Sequence, residues 1–193
     1  MIVYLHGFRS SPQSFKARLI GQRLAEIGLA NSYACPQLPA SPQAAIALAR
    51  ECMTGKPAQE VTLIGSSLGG YYATWLAEQT GCRAVLLNPA VRPPRDLEKY
   101  VGVTTAYHSG EPFEFKREHV DELKALAVER ITRPERYFLI AATGDEVLDW
   151  REMTAHYPGA RQQVIQGSDH GLSDFAAYQD DVLAFCGIRL PQS

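Results

Sequence analysis

The sequence predicts an α/β fold, a mostly parallel six-stranded sheet flanked by helices. Two observations carry that expectation. Short β-rich runs alternate with helical patterns along the chain, as in strands joined by helical crossovers. The 193 residues are 46% hydrophobic and 21% charged, enough for one core of ordinary domain size, so a single unit over 1–193 is expected.

The elements follow in order. A strand is expected at Ile2–Leu5. Ser11-Pro12 offers an N-cap followed by proline at the first helical position, where its missing N–H costs nothing. A helix should therefore begin near Pro12, carry Phe15, Leu19, Leu24 and Ile27 on one stripe, and end at Gly28. A second strand is expected at Ser32–Cys35, and Ser41-Pro42 should start a second helix. Further strands are expected at Val61–Gly65, Ala84–Leu87, Tyr137–Ala142 and Gln163–Gln166. The last helix carries Phe175, Tyr178, Val182 and Phe185 at helical spacing and stops at Gly187. Arg92–Arg133 breaks the alternation, with Pro93-Pro94, a loop region from Gly102 to Pro112, and a polar helix near Phe115–Glu129. It is too long for a simple crossover and reads as a short inserted cap over one end of the sheet.

Charge narrows the partners. Nineteen basic residues face 21 acidic ones, so neither nucleic acid nor an anionic membrane is expected. Sixteen of those 40 charged side chains fall in Arg92–Arg133, eight of each sign. Its sparse apolar set, Phe113, Phe115, Val120, Leu123, Leu126 and Ala127, reads as a stripe packing onto the sheet. That favours a water-soluble substrate over an emulsified lipid. Cys35, Cys52, Cys82 and Cys186 have neither C-x-x-C nor zinc-ligand spacing and read as core residues of a reducing compartment. With no signal-peptide pattern and no long apolar run, a soluble cytoplasmic protein is expected.

The chemistry centres on Gly65-Ser66-Ser67-Leu68-Gly69-Gly70, which fits G-x-S-x-G with Ser67 in the middle. A strand precedes it and a helical run follows, as a serine held on a sharp strand-to-helix turn requires. The flanking glycines let backbone pass close by, and the following helix N-terminus favours negative charge at Ser67. A serine hydroxyl needs a base. Of His6, His108, His119, His156 and His170, only His170 directly follows the last expected strand, on the sheet edge that carries Ser67. His108 and His119 lie in the insertion, and His156 reads as a surface-loop residue. His6 reads as a structural hydrogen-bonding residue.

A carboxylate must hold the imidazole in its working tautomer. Asp145 is the first acidic residue after Tyr137–Ala142; Asp149 looks committed to capping a helix over Asp149–Glu152, and Asp169 reads as a turn residue. Two backbone amides should form an oxyanion hole: Leu68, just after the nucleophile, and Phe8, after His6-Gly7. The expected reaction is acyl transfer to water from a small-molecule ester or thioester, with no cofactor. An acyltransferase or acyl-CoA thioesterase using the same three residues, or a non-catalytic hydrolase-like binding protein, are the alternatives. A metal enzyme is disfavoured, because no H-E-x-x-H or clustered ligand set is present.

The sequence also resembles the small bacterial esterases of the YqiA type, within the α/β-hydrolase superfamily. Tyr4–Phe8 with Ser10-Ser11-Pro12, Gly65–Leu76, Asn88–Pro93, Thr143–Asp149, and His170 ahead of Phe175 and Tyr178 carry the resemblance. It implies a compact α/β-hydrolase fold, a Ser67–Asp145–His170 triad, and hydrolysis of carboxylic esters or thioesters.

Overall fold

A computed structural model describes residues 1–190; positions 191–193 of the expected unit lie outside the described residues. Six strands form one sheet: β1 (Ile2–Leu5), β2 (Tyr33–Ala34), β3 (Thr62–Ser66), β4 (Arg83–Leu87), β7 (Tyr137–Ala142) and β8 (Arg161–Ile165). Their spatial order is β2-β1-β3-β4-β7-β8, and every neighbouring pair is parallel. All six expected strands are present, Ile2–Leu5 and Tyr137–Ala142 with the expected ends and the other four with ends shifted by one or two residues. The register pairs Leu5 with Gly65, Ser66 with Leu87, and Ala142 with Ile165. The carboxyl ends of β1, β3, β4, β7 and β8 therefore open onto one edge.

Both faces of a parallel sheet must be covered, and strand alternation divides the core in two. Val3, Leu5, Leu63, Leu86 and Leu139 face α2 (Pro42–Met53), α3 (Leu68–Thr80), α5 (Arg117–Ala125) and α6 (Trp150–His156). Ile2, Tyr4, Ile64, Val85, Phe138 and Ile140 face α1 (Phe15–Glu26) and α7 (Gln179–Phe185). Ser41 caps α2 by accepting from the Ala44 N–H, as Ser41-Pro42 predicts. No helix of the described residues is long and apolar enough to cross a membrane.

Several expectations are corrected. Helix α1 starts at Phe15, because residues 12–13 form a turn in which Ser11 Oγ accepts from the Gln13 N–H. Its buried face is Lys16, Ala17, Ile20 and Leu24, which leaves Phe15 51% exposed. The expected 102–112 loop instead contains strand β5 (Gly102–Thr105), paired antiparallel with β6 (Pro112–Phe115). Phe113 and Phe115 thus belong to a strand, and α5 runs only from Arg117 to Ala125. Phe115, Val120, Leu123 and Leu126 do pack onto the sheet, whereas Ala127 is exposed. The 92–133 segment opens with α4 (Pro93–Leu97). At the chain end, Phe175–Ala177 is a separate 3-10 turn ahead of α7. Only Cys82 is fully buried; Cys35, Cys52 and Cys186 are half-buried, and all four are free thiols.

Candidate active site

Ser67 sits between β3 and α3 with φ 53° and ψ −120°, a conformation costly for a residue with a side chain. The surroundings hold it there. Its N–H donates to the Leu87 carbonyl (3.0 Å), while its own carbonyl accepts from Gly70 (2.9 Å) and Ala90 (3.0 Å). The glycines are steric necessities: a Cβ on Gly65 would lie 2.3 Å from the Gly69 carbonyl oxygen, and one on Gly69 1.9 Å from that of Leu5.

The β7 and β8 ends bring the other two residues to the serine. The Ser67 hydroxyl lies 3.0 Å from His170 Nε2, and His170 Nδ1 lies 2.7 Å from Asp145 Oδ2. Asp145 accepts at its other oxygen from the Val147 and Leu148 amides, both at 2.8 Å. Its side chain is 0% exposed, against 21% for His170. A carboxylate so bonded accepts from Nδ1–H, which leaves Nε2 free to accept the serine proton.

Two contacts that sequence reasoning missed steady the histidine loop. Asn88, fully buried after β4 with φ 42°, donates to the carbonyls of Asp169 (3.0 Å) and His170 (3.2 Å) and accepts from the Ala142 N–H (2.8 Å). Glu146 accepts from the His170 N–H at 2.9 Å. A polar residue directly after the apolar run Ala84–Leu87 was the available signal for Asn88; Glu146 gave none.

Phe8 and Leu68 line the cleft together with Ser67, and neither amide donates a hydrogen bond among the described residues. Gly7 keeps the Phe8 loop close, since a Cβ there would lie 3.2 Å from Ser67 Cβ. His6 has the structural place expected of it. Its Nε2 accepts from the Leu38 N–H (3.0 Å), its Nδ1 lies 3.0 Å from the Gly7 carbonyl, and burial lowers its pKa.

The remaining candidates lie elsewhere. Asp149 caps α6 by accepting from the Arg151 N–H, but Glu152 does not complete a box; it makes a two-pronged pair with Arg95. Asp169 accepts from the Ser173 N–H within its turn. His119 opens α5 and accepts from the Lys116 N–H. His156 is corrected: it ends α6 and is half-buried, where desolvation and Arg92 lower its pKa.

The cleft has a volume of about 380 Å³. The 92–133 segment supplies one wall through Leu97, Tyr100 and Tyr107, and Phe113 and Phe115 set their rings edge-on against Phe8. Phe15, Tyr100, Tyr107 and Val147 give its mouth an exposed apolar rim. Its floor holds Tyr4, Ser14, Lys16 and Ser66. Lys16 is the notable member: only 7% exposed, it donates to the Gly171 carbonyl beside His170. Burial lowers its pKa to about 8, even though Asp169 and Asp145 pull the other way.

An all-parallel sheet with a strained serine after one strand and a hydrogen-bonded histidine and aspartate after two others defines the class, the α/β-hydrolase fold. Mouse alpha/beta hydrolase domain-containing protein 10 shares it at TM-score 0.70 and 15% identity, over 95% of this chain and 89% of that one. A metagenome-derived lipolytic enzyme of the LipS and LipT pair matches at TM-score 0.70 and 18% identity, over 96% and 92%. Est1E from Butyrivibrio proteoclasticus matches at TM-score 0.65 and 15% identity, over 97% and 88%. Family membership is narrower than fold: residues 1–187 match the uncharacterised protein family UPF0227, and the chain belongs to it.

Proposed function

We propose that the protein is a serine hydrolase of carboxylic esters or thioesters. The observation that carries this reading is the hydrogen-bonded series Ser67–His170–Asp145, at 3.0 and 2.7 Å, with its serine on a strained turn inside a cleft. Ser67 attacks the substrate carbonyl while His170 Nε2 takes its proton, and Asp145 stabilises the imidazolium. The Phe8 and Leu68 amides hold the oxyanion, aided by the positive end of α3. His170 then protonates the leaving group and draws a proton from the water that releases the acyl group. The unit acts as one domain, with 92–133 walling the cleft, on small soluble substrates in the cytoplasm. The apolar rim receives the hydrocarbon part of the ester.

Ser67→Ala is the direct test. It should lower kcat by roughly 10⁴–10⁶ on any ester the wild type turns over, and abolish labelling by a fluorophosphonate. Unchanged hydrolysis by the purified variant would sink the assignment.

A further inference from the structure

The floor of the cleft holds more polarity than acyl transfer uses. Tyr4 on β1 is completely buried, which raises its pKa, and the Ser66 and Ser14 hydroxyls beside it pull the other way; yet neither the Tyr4 nor the buried Ser14 hydroxyl makes a well-formed hydrogen bond. Ser66 lies beside them, one residue before the nucleophile. Lys16 adds an ammonium with three donors, of which one goes to the Gly171 carbonyl, and it forms no ion pair among the described residues. Ser14 and Lys16 also stand at the start of the twelve-residue α1, and the Ser14 side chain does not cap it.

An unpaired cation and unpartnered hydroxyls in a buried place are costly unless something accepts from them. Here they converge on one cavity with the reacting serine. Two carboxylates act on Lys16 without pairing with it: Asp169 accepts from the Ser173 N–H within its turn, and Asp145 is turned to His170 and to its own loop amides. The unmet demand is for an acceptor-rich group of negative charge.

We propose that this floor is a carboxylate-binding subsite, and that the preferred substrates are short esters or thioesters bearing a carboxylate a few atoms from the scissile carbonyl. Lys16 and the Tyr4 hydroxyl bind the carboxylate, with Ser14 and Ser66 closing around it. The proposal rests on the serine-hydrolase reading and specifies its substrate class. The carboxylate belongs either to the acyl part, as in a half-ester of a short dicarboxylic acid, or to the leaving group, as in an acylated hydroxy acid.

Two pairs of esters, each differing by carboxylate against methyl, separate these sources. 4-Nitrophenyl hemisuccinate is compared with 4-nitrophenyl butyrate, and O-butyryl-3-hydroxypropionate with propyl butyrate, each corrected for spontaneous hydrolysis. In one pair the wild type should favour the carboxylate member by roughly tenfold or more in kcat/KM. That ratio should fall at least about tenfold in Lys16→Met and fall also in Tyr4→Phe. If Lys16 merely braced the Gly171 loop, its loss would slow both members alike and leave the ratio unmoved. An unmoved ratio, or a wild type that favours the methyl member of both pairs, overturns the subsite while fluorophosphonate labelling of Ser67 keeps the hydrolase reading. No turnover of any ester together with no labelling overturns both.

Discussion

Replacing Lys16 by Met should make the protein more stable at neutral pH. An ammonium held near pH 8 instead of the ordinary 10.5 costs the folded state about 3 kcal/mol whenever it is protonated. Methionine fills much the same space without the charge. The hydrogen bond to Gly171 is lost, worth about 1 kcal/mol, and that exposed residue can turn its carbonyl to water. The net gain is about 2 kcal/mol at pH 7, or ~4–8 °C in Tm for a chain of this size. The sign with pH follows from linkage. Because the folded pKa is depressed, the unfolded chain binds more protons between pH 8 and 10.5, so wild-type stability from this group rises through that window. The advantage of Lys16→Met should therefore be full below pH 8 and shrink towards pH 10.5. Urea unfolding of both proteins at a series of pH values reads the difference directly, and tyrosine ionisation cancels between them. A variant no more stable than wild type at pH 7, or an advantage that grows with pH, would refute the reasoning. A stabilising change that abolishes a substrate preference is the expected signature of a group kept for binding.

Two further substitutions probe the framework. Asn88→Ala removes three hydrogen bonds, two to the histidine loop and one from the Ala142 N–H at the end of β7, and leaves alanine at φ 42°, so it should cost on the order of 3–5 kcal/mol and lower kcat more than it raises KM. Chemical denaturation with a parallel kinetic assay measures both. Gly69→Ala would push a methyl to 1.9 Å from the Leu5 carbonyl oxygen, backbone against backbone; loss of soluble protein is expected, and a normally folded variant by circular dichroism would contradict the packing.

The central strands were legible because both sheet faces are covered, which makes β3, β7 and Ala84–Leu87 of β4 unbroken buried runs. The β5–β6 hairpin was not, since its residues are mostly exposed and its apolar alternation is confined to Phe113 and Phe115, too short to mark a strand. Lys16 misled the reading of α1. A lysine counts as polar, so the stripe was drawn through Phe15 and Leu19, although Lys16, Ile20 and Leu24 recur every four residues. Ser67 announced itself because its turn needs glycines at fixed offsets. His170 and Asp145 followed from where parallel strands end. Asn88 and Lys16 act through partners 82 and 155 residues away, a relation no local pattern contains.

The sheet order has a consequence for synthesis. Residues 2–87 supply β2, β1, β3 and β4, which are contiguous neighbours, and β7 and then β8 add outward on one side in chain order. The serine turn can thus assemble on a nascent half-sheet, whereas His170, its hydrogen-bond partner, arrives 103 residues later behind the outermost strand. At translation rates of roughly 5–20 residues per second, that is a delay of about 5–20 s. Throughout it the Ser67 hydroxyl lacks its imidazole partner, so under the proposed mechanism the growing chain carries an inert serine until the final strand is in place.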